Sequence, residues 1–329
     1  MSELPATLGR GVSLRSDSGH TYTIKDTLVA RPKPFSSVFL AESEGKQFVI
    51  KDSLGSEADL RYRANVHDRV ADSPHVRARI DTITGESAFV MPYMDDDLLQ
   101  MAGNNLFKDV RKNVLRQALC GLRDLHDKDL AHNDVKPNNI FVDYQLNPDR
   151  QVLLKSVKIG DLEEAVVIPP GNWLRGPQCG NKNWRSPEAW ARAGQNQASD
   201  IYSFAVIMIY VMHHVMVFYE EGDNLLDEDQ VWRRILWQHV CVFGDREAYA
   251  GYLEHVTKTQ PEFAAQLDEM VQEKLKEGLF PPFRLYDFIE PEFRDLVGQM
   301  TNLNPLNRIT AKEALQHVWF TEGDEAEKA

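Results

Sequence analysis

The stretch HNDVKPNNIFV at residues 132–142 is the most informative part of this sequence. It places a carboxylate, Asp134, shortly before Lys136 and Asn139, and a second carboxylate, Asp161, follows in the segment KIGDLE. Carboxylate and amide oxygens are suitable ligands for Mg²⁺, a carboxylate can accept a hydroxyl proton, and a lysine can offset negative charge. The ordered set therefore indicates a phosphoryl-transfer site.

Each of these residues taken alone has an ordinary structural explanation. Asn and Asp side chains commonly cap and tie loops. On that basis His132, Asp134 or Asn139 by itself indicates no more than a hydrogen-bonded turn. It is the order and spacing of the whole set that favour the catalytic interpretation over the structural one.

The composition is that of an ordinary globular protein. Of 329 residues, 43% are hydrophobic and 26% are charged, which excludes a disordered or collagen-like chain. The 50 acidic and 37 basic residues leave a net charge of -13, so we expect no nucleic-acid partner and no membrane partner. The 3 cysteines are far apart in sequence and too few to stabilise a fold of this size through disulfides, which predicts reduced thiols. We expect a monomer in the cytoplasm or the nucleus.

Neither a secretory leader nor a membrane span is predicted. The first residues lack both the basic and the apolar region of a signal peptide. The longest apolar stretch, residues 204–219, is interrupted by His213 and His214 and is shorter than the roughly 18 to 20 residues that cross a bilayer. We interpret this stretch as a buried helix.

The first part of the chain is β-rich. Residues 21–93 contain short alternating segments with many β-branched and aromatic residues, which predicts an antiparallel sheet. One helix is predicted to interrupt this sheet at about residues 56–71, with Ser56 as its N-cap. Residues 1–20 precede this unit as an N-terminal extension.

The second part, residues 94–320, is mostly helical. Its clearest predicted helices lie at residues 110–128, 200–216, 261–277 and 310–317. Residues 321–329 form an acidic tail. A small β-rich lobe beside a larger helical lobe predicts a cleft between them, and such clefts favour small-molecule sites.

These features together resemble the eukaryotic protein kinase superfamily over about residues 21–320. Beyond the catalytic stretch, the matches follow the family's order at VIK (49–51), WRSPE (184–188), DIYSF (200–204) and LNPLNRITAKEAL (303–315). The resemblance implies a bilobal α+β fold and transfer of the γ-phosphoryl group of ATP, with Mg, to a protein substrate. Lys136 resembles the Ser/Thr-specific form of the family. Several segments are also similar to kinase-like proteins of filamentous fungi.

The resemblance implies a role for each matching residue. Asp134 and Lys136 are the implied catalytic residues, and Asn139 and Asp161 the implied ligands of Mg²⁺. The implied ATP-binding residues are Lys51, which holds the α- and β-phosphates, and Val38, Val49, Met91, Met94, Phe141 and Lys33.

Three further residues are implied to be structural. In the family, the equivalents of Glu188 and Arg308 form a buried ion pair, and the equivalent of Asp200 braces the catalytic loop. We therefore expect the same contacts in this chain.

The phosphate-binding loop departs from the family pattern. Its three glycine positions carry Arg31, Lys33 and Ser36. Glycine allows backbone amides to approach phosphate closely, so this loop must bind in another way or not at all. Either the side chains of Arg31 and Lys33 replace the amides as cations, or the loop is a surface turn stiffened by proline.

The acidic partner of Lys51 is a second departure. The family places a Glu on the small-lobe helix to orient this lysine, but here the suitable helix positions carry Arg63 and its neighbours. Our hypothesis is that Glu163 offsets the missing Glu, or that one of the early-helix acids Glu57 and Asp59 does so.

The site for the adenine base is the third departure. Val49 stands where the family has a smaller residue in the roof, and Phe141 stands where a smaller residue forms the floor. Bulk on both faces narrows the site, and overpacking typically costs about 1 to 3 kcal/mol. Pro92, beside the presumed gatekeeper Met91, removes one backbone N–H from the hinge, whereas the family's adenine-binding donor comes from near Met94.

The activation segment lacks the usual phosphorylation switch. Asn133 replaces the Arg that pairs with a phosphorylated segment in many kinases, and residues 161–188 contain no Thr or Tyr and only one Ser, Ser186. We therefore predict that phosphorylation of this segment does not activate the protein.

Two functions are compatible with this pattern. The retained charged residues favour an ATP- and Mg²⁺-dependent Ser/Thr protein kinase, since lost positioning groups can be replaced by others. The missing glycines and the crowded adenine site favour a pseudokinase that binds a protein partner, with weak ATP binding or none. A small-molecule kinase is the third alternative, and the WRSPE segment argues against it.

Overall fold

The computed structural model describes residues 8–32, 35–52, 56–103, 106–222, 225–276, 278 and 281–321. Its strands are β1 (Ser13–Arg15), β2 (Thr21–Pro32), β3 (Phe35–Ser43), β4 (Lys46–Asp52), β5 (Asp81–Ile83), β6 (Ala88–Pro92), β7 (Asp96–Asp97), β8 (Leu130–Ala131), β9 (Ile140–Leu146), β10 (Val152–Ile159) and β11 (Val166–Val167). Its helices are α1 (Glu57–Arg69), α2 (Leu98–Ala102), α3 (Lys108–His126), α4 (Pro187–Trp190), α5 (Gln197–His213), α6 (Glu228–Phe243), α7 (Arg246–Thr257), α8 (Pro261–Lys274), α9 (Pro291–Met300), α10 (Ala311–Leu315) and α11 (Val318–Thr321).

The small lobe is built on an antiparallel sheet, as predicted. Within the described residues its strand order is β1-β2-β3-β4-β6-β5. One face is covered by a compact apolar cluster that includes Tyr22, Ile24, Phe39 and Ile50. β1 belongs to this sheet although it lies in the predicted extension, and Leu14 packs into the same cluster. A strand this short has too little periodicity to be recognised from sequence.

Helix α1 begins where the sequence predicts. Ser56 and Asp59 form a reciprocal capping box, in which each side chain bonds to the other's backbone N–H. Leu60 and Val66 are buried and fix the helix against the protein interior. The predicted interruption of the sheet by one helix is therefore confirmed.

The large lobe is helical, and each of its four clearest predicted helices is present within a few residues of the expected bounds. The apolar stretch of residues 204–219 is mainly the buried helix α5, as predicted. The helix ends at His213 because His214 adopts a left-handed φ of 56°. In the part of the chain that the structure describes, no helix has the length and apolarity that crossing a membrane requires.

The loop that carries the catalytic residues lies between two small sheets of the large lobe. It leaves β8, which pairs with β11, and enters β9, which pairs with β10 and β7. Asp161 follows directly after the end of β10 at Gly160. Antiparallel pairing of β9 with β10 brings Ile140 opposite Ile159, so the two segments reach the cleft side by side.

Candidate active site

Asp200 of α5 braces the catalytic loop, as the resemblance implied. Its Oδ2 accepts from the backbone N–H of His132 at 2.7 Å and from Nε2 of His126 at 3.0 Å. Its Oδ1 accepts from the backbone N–H of Asn133 at 2.9 Å. The carboxylate is buried, where hydrogen bonds to a charged acceptor are strong. The start of the catalytic loop is thus fixed to the most buried helix of the lobe.

His132 joins this loop to the segment that carries Asp161. Its Nε2 lies 2.9 Å from the carbonyl oxygen of Gly160, which can only accept, so Nε2 carries the proton. Its Nδ1 then accepts from the backbone N–H of Asp134 at 3.2 Å. The N–H of Gly160 donates in turn to the carbonyl of Asn139 at 2.8 Å. Hydrogen bonds to the carbonyl and from the N–H of Gly160 therefore hold the two segments together.

Asp134, Lys136 and Asn139 form one hydrogen-bonded cluster. The Nζ of Lys136 donates to Oδ2 of Asp134 at 2.5 Å. The side-chain nitrogen of Asn139 donates to the backbone carbonyl of Asp134 at 2.8 Å and to its Oδ2 at 3.2 Å. The carboxylate of Asp134 is thereby held in one orientation, with a cation beside it.

Lys51 of β4 is paired with two carboxylates. Its Nζ lies 2.5 Å from Oδ1 of Asp161 and 2.9 Å from Oε1 of Glu163. Burial lowers the pKa of Lys51, but the two carboxylates together raise it above its usual value. Burial raises the pKa of Asp161, but Lys51 together with His132 and Lys136 lowers it more, so the net pKa is below the usual value. Both groups are therefore charged at neutral pH.

The structure distinguishes between the acids considered as partners of Lys51. Glu163 makes the contact, whereas Asp59 caps α1 and Glu57 pairs with Arg61 of the same helix at 2.6 Å. The left-handed φ of 63° at Asp161 starts the short helical turn that carries Glu163 towards Lys51.

His67 of α1 lies near this ion cluster, and the sequence pattern did not single it out as a site residue. It borders, with Lys51, Asp161 and Glu163, a cavity of about 20 Å³. Its Nδ1 accepts from the backbone N–H of Arg79 at 3.1 Å. Burial, with the charge of Arg79, lowers the pKa of His67 to about 4, so the ring is neutral at physiological pH. A polar residue on the inner face of a predicted helix is the signal that could have found it.

The residues implied to bind the base lie on four strands and in the segment that follows one of them. Val38 pairs with Lys51 across β3 and β4, and Val49 pairs with Met91 across β4 and β6. Met94 is buried two residues after β6. Phe141 of β9 lies beside Gly160, since a Cβ at this glycine would be 3.0 Å from the Phe141 ring. We call the region bordered by Val38, Val49, Met91, Met94 and Phe141 the base slot.

Arg77, which was not singled out from the sequence, reaches into the base slot. Its Nε and Nη2 donate to the backbone carbonyl of Pro92 at 2.9 Å and 2.6 Å. Its guanidinium carbon lies 4.3 Å from the centre of the Phe141 ring. The side chain is only 6% exposed. A cation therefore lies where the sequence predicts a flat base to enter.

The phosphate-loop residues are described only in part. The strands β2 and β3 pair as far as Arg31 with Ser36 and Pro32 with Phe35. The predicted ATP-binding residue Lys33 lies outside the described residues. The two alternatives for this loop both remain predictions.

The donor set suits Mg²⁺ that arrives with a phosphate ligand. Asp161 offers a carboxylate, and Asn139, whose side-chain nitrogen is engaged by Asp134, offers its Oδ1. Among the described residues, no group of three or more His, Cys, Asp or Glu is arranged to hold a metal ion. Mg²⁺ commonly takes one or two protein ligands and completes its shell with phosphate oxygens and waters. Asn139 and Asp161 fit this pattern.

The activation segment is held in place by hydrogen bonds and an ion pair that do not require a phosphorylated residue. Asn133, in the place of the usual Arg, donates through its side chain to the backbone carbonyl of Glu164 at 2.9 Å. Ser186 is buried, and its hydroxyl accepts from the N–H of Ala189 as the N-cap of α4. Glu188 of this segment forms the implied buried ion pair with Arg308.

The comparisons with known proteins agree with this architecture. A two-lobed fold with the catalytic loop, Asp161 and Lys51 at the cleft defines a protein kinase domain. A family profile described as the protein kinase domain matches residues 35–320. The chain therefore belongs to the eukaryotic protein kinase superfamily.

Individual relatives are more distant. The chain is 27% identical over 241 residues to the stress-activated protein kinase jnk-1 of Caenorhabditis elegans, a match to 71% of this chain and 48% of that protein. It is 29% identical over 194 residues to the mitosis inducer protein kinase cdr2 of Schizosaccharomyces pombe, a match to 55% of this chain and 23% of that protein. The matches thus span under half the length of either relative.

A solved structure supports the fold. A kinase domain determined by crystallography superposes with a TM-score of 0.70, covering 96% of this chain and 98% of that chain. The sequence identity of 15% means that this likeness bears on the fold alone. The predicted bilobal α+β kinase fold is confirmed.

Proposed function

We propose that this protein is an ATP- and Mg²⁺-dependent kinase that transfers the γ-phosphoryl group to a Ser or Thr hydroxyl of a protein substrate. The observation that carries the proposal is one connected cluster of charged groups. Asp134 is bonded to Lys136, Lys51 is bonded to Asp161, and Gly160 links the two segments. The charged groups assigned to phosphoryl transfer, Asp134, Lys136, Lys51 and Asp161, thus lie together at the cleft.

Each of these residues acts on a charge or a proton. Asp134 accepts the proton of the attacking hydroxyl, and Lys136, 2.5 Å away, offsets charge on the transferred group. Lys51 holds the α- and β-phosphates. Mg²⁺ bound by Asn139 and Asp161 would supply positive charge at the phosphate oxygens.

A pseudokinase is the second candidate function, and one observation favours it. Arg77 is buried and stacked on the Phe141 ring, so it occupies the base slot that ATP would have to enter. In this alternative the same fold presents a surface to a protein partner and does not turn over ATP.

A transfer assay separates the two candidates. The purified chain is incubated with Mg²⁺, ATP labelled at the γ-phosphate and a degenerate library of Ser- and Thr-containing peptides. We expect label on the hydroxyl residues, and we expect its loss with Asp134→Asn. Asp149→Asn, a change of the same chemistry at an exposed turn, is the matched control and should retain activity. Transfer that is absent, or equal in wild type and Asp134→Asn, contradicts the kinase and favours the pseudokinase.

We also propose that the chain acts as a monomer in the cytoplasm or the nucleus. In the part of the chain that the structure describes, Cys120, Cys179 and Cys241 form no disulfide, and Cys120 and Cys241 are buried. Burial raises the pKa of Cys179 to about 11, so this thiol stays protonated and unreactive. Light scattering on the purified protein and imaging of a tagged form test these two points.

A further inference from the structure

We propose that Arg77 is a built-in occupant of the base slot, and that ATP must displace its guanidinium in order to bind. This inference rests on the proposed ATP site. It identifies the residue that sets nucleotide affinity, and it predicts a protein that holds phosphate better than it holds adenine.

The guanidinium makes the contacts that a base would make. It is planar, it stacks on aromatic faces, and it carries several N–H donors in a fixed fork. Here it lies 4.3 Å from the centre of the Phe141 ring and directs two donors to the carbonyl of Pro92. Adenine is also planar and offers an amino donor at its edge. Arg77 and adenine therefore compete for the same ring face.

The carbonyl of Pro92 lies on the β5 side of its strand, beyond the last residue that pairs with β5. The carbonyl of Val90, two residues earlier, accepts from the N–H of Ile80, while β4 pairs on the opposite edge of β6. Because alternate carbonyls of a strand point the same way, the Pro92 carbonyl also points away from β4. A ligand donor could reach it only when Arg77 has moved.

Backbone hydrogen bonds fix the position of Arg77, and this position directs its side chain into the base slot. Its N–H donates to the carbonyl of Ile159 at 2.7 Å, and the N–H of Ile159 donates to the carbonyl of His75 at 2.9 Å. A Cβ at Gly160 would come within 2.9 Å of the Cβ of Arg77. The glycine before Asp161 thus leaves the room through which the arginine stem passes.

The buried cation is poorly compensated, which makes it displaceable. Its hydrogen bonds within the described chain go to one neutral carbonyl, although the charges of Asp143 and Asp161 act on it from further away. Burial lowers the pKa of Arg77 to about 10, and the group remains charged at neutral pH. A buried charge without a bonded carboxylate is costly, so an outward rotamer that reaches water can compete with it.

The test measures binding of two probes by calorimetry in the presence of Mg²⁺. ATP carries a base and a triphosphate, whereas inorganic tripolyphosphate carries only the phosphates. The variants are Arg77→Ala and Arg77→Met, of which the second keeps the buried stem if the first unfolds. The matched control is Arg79→Ala, whose guanidinium lies over Phe89 and pairs with Asp68 away from the base slot.

We expect both Arg77 variants to bind ATP at least about tenfold more tightly than wild type, because a slot that is closed most of the time lowers the apparent affinity by its open fraction. Their affinity for tripolyphosphate should stay within about threefold of wild type. The Arg79→Ala protein should match wild type with both probes.

Two results would overturn the inference. One is an ATP affinity that stays equal or falls in both Arg77 variants, and the other is a gain of equal size for ATP and tripolyphosphate, which would show a general opening of the cleft. Failure of the proposed function looks different. In that case no protein, wild type included, binds either probe, and the slot hypothesis falls with it.

Discussion

Arg308 and Glu188 form an ion pair whose Nη1–Oε1 distance is 2.7 Å and whose two side chains are fully buried. A second guanidinium nitrogen lies 3.1 Å from the other carboxylate oxygen, and Ser199 also donates to the carboxylate. The pair therefore connects the end of the activation segment to the C-terminal part of the large lobe. Burial raises the pKa of Glu188, but the contacts with Arg308 and Ser199 lower it to a net value below the usual one.

Breaking this pair should destabilise the protein strongly. We expect Arg308→Met to lower the free energy of unfolding by about 3 to 5 kcal/mol, because Glu188 is left as an uncompensated buried charge. Urea denaturation followed by circular dichroism measures the change. The control is Arg233→Ala, which removes an exposed pair with Asp229 and should cost less than about 1 kcal/mol. Equal losses in the two variants would contradict the assigned role.

Removing the second acidic partner of Lys51 should weaken nucleotide handling. We expect Glu163→Ala to lower kcat/KM for ATP about tenfold, the equivalent of about 1.4 kcal/mol, because Lys51 loses one of the two groups that orient it. Steady-state kinetics at fixed peptide concentration measure this effect. Glu164→Ala, which removes the exposed neighbouring acid, should leave kcat/KM unchanged. Unaltered kinetics in Glu163→Ala would exclude Glu163 as the functional replacement.

The stability of the protein should fall between pH 6.5 and about pH 4 in part because of His67. Its pKa is lowered from 6.5 to about 4 in the folded state, so below pH 6.5 the unfolded chain binds the proton first and unfolding is favoured. The full contribution is on the order of 3 kcal/mol. Chemical denaturation across this range should give a flatter profile for His67→Gln than for wild type. Above pH 7 the difference between the two proteins should be constant, and parallel profiles at all pH values would refute the assignment.

Phosphorylation of the activation segment should not activate the protein. Ser186 is buried and caps α4 through its hydroxyl, so a phosphate there would remove the cap and insert charge into the interior. Phosphatase treatment should leave activity unchanged, and mass spectrometry of active protein should find residues 161–188 unmodified. Ser186→Asp should lower stability without raising activity. A phosphorylated site in this segment that increases turnover would disprove the prediction.

The catalytic loop and its partners could be predicted because their chemistry requires particular residues at fixed spacing. Asp134, Lys136 and Asn139 are close in sequence, so their cluster follows from local geometry. The link from Lys51 to Glu163 was one of several options, since the helix acids Glu57 and Asp59 lie much nearer to Lys51 in the sequence. Only the tertiary arrangement distinguishes an acid that caps a helix from one that meets a lysine.

The burial of Arg77 could not be predicted from hydropathy, because the exposure of residues in the segment VRARI (76–80) departs from the alternation of its apolar residues. Alternation would turn Val76, Ala78 and Ile80 inward and the arginines outward. In the structure Ile80 is 51% exposed and Arg77 is 6% exposed. The carbonyl of Pro92 and the ring of Phe141 that receive Arg77 come from distant parts of the chain. Their arrival at one point is a property of the fold and not of the local sequence.

Both acidic partners of Lys51 come from the large lobe, and this affects how the two lobes can separate. Asp161 and Glu163 belong to one short segment of the large lobe, whereas Lys51 belongs to the small lobe, so the ion cluster is a latch between the lobes. Helix α1 contributes neither Glu57 nor Asp59 to it, so a rotation of α1 alone does not remove an acidic partner of Lys51. Opening must instead separate two charge pairs at once, which salt assists by screening the exposed part of the cluster. Separation of the lobes must also break a contact of α1 with the large lobe, since the hydroxyl of Tyr62 accepts from the backbone N–H of Val167 at 3.2 Å.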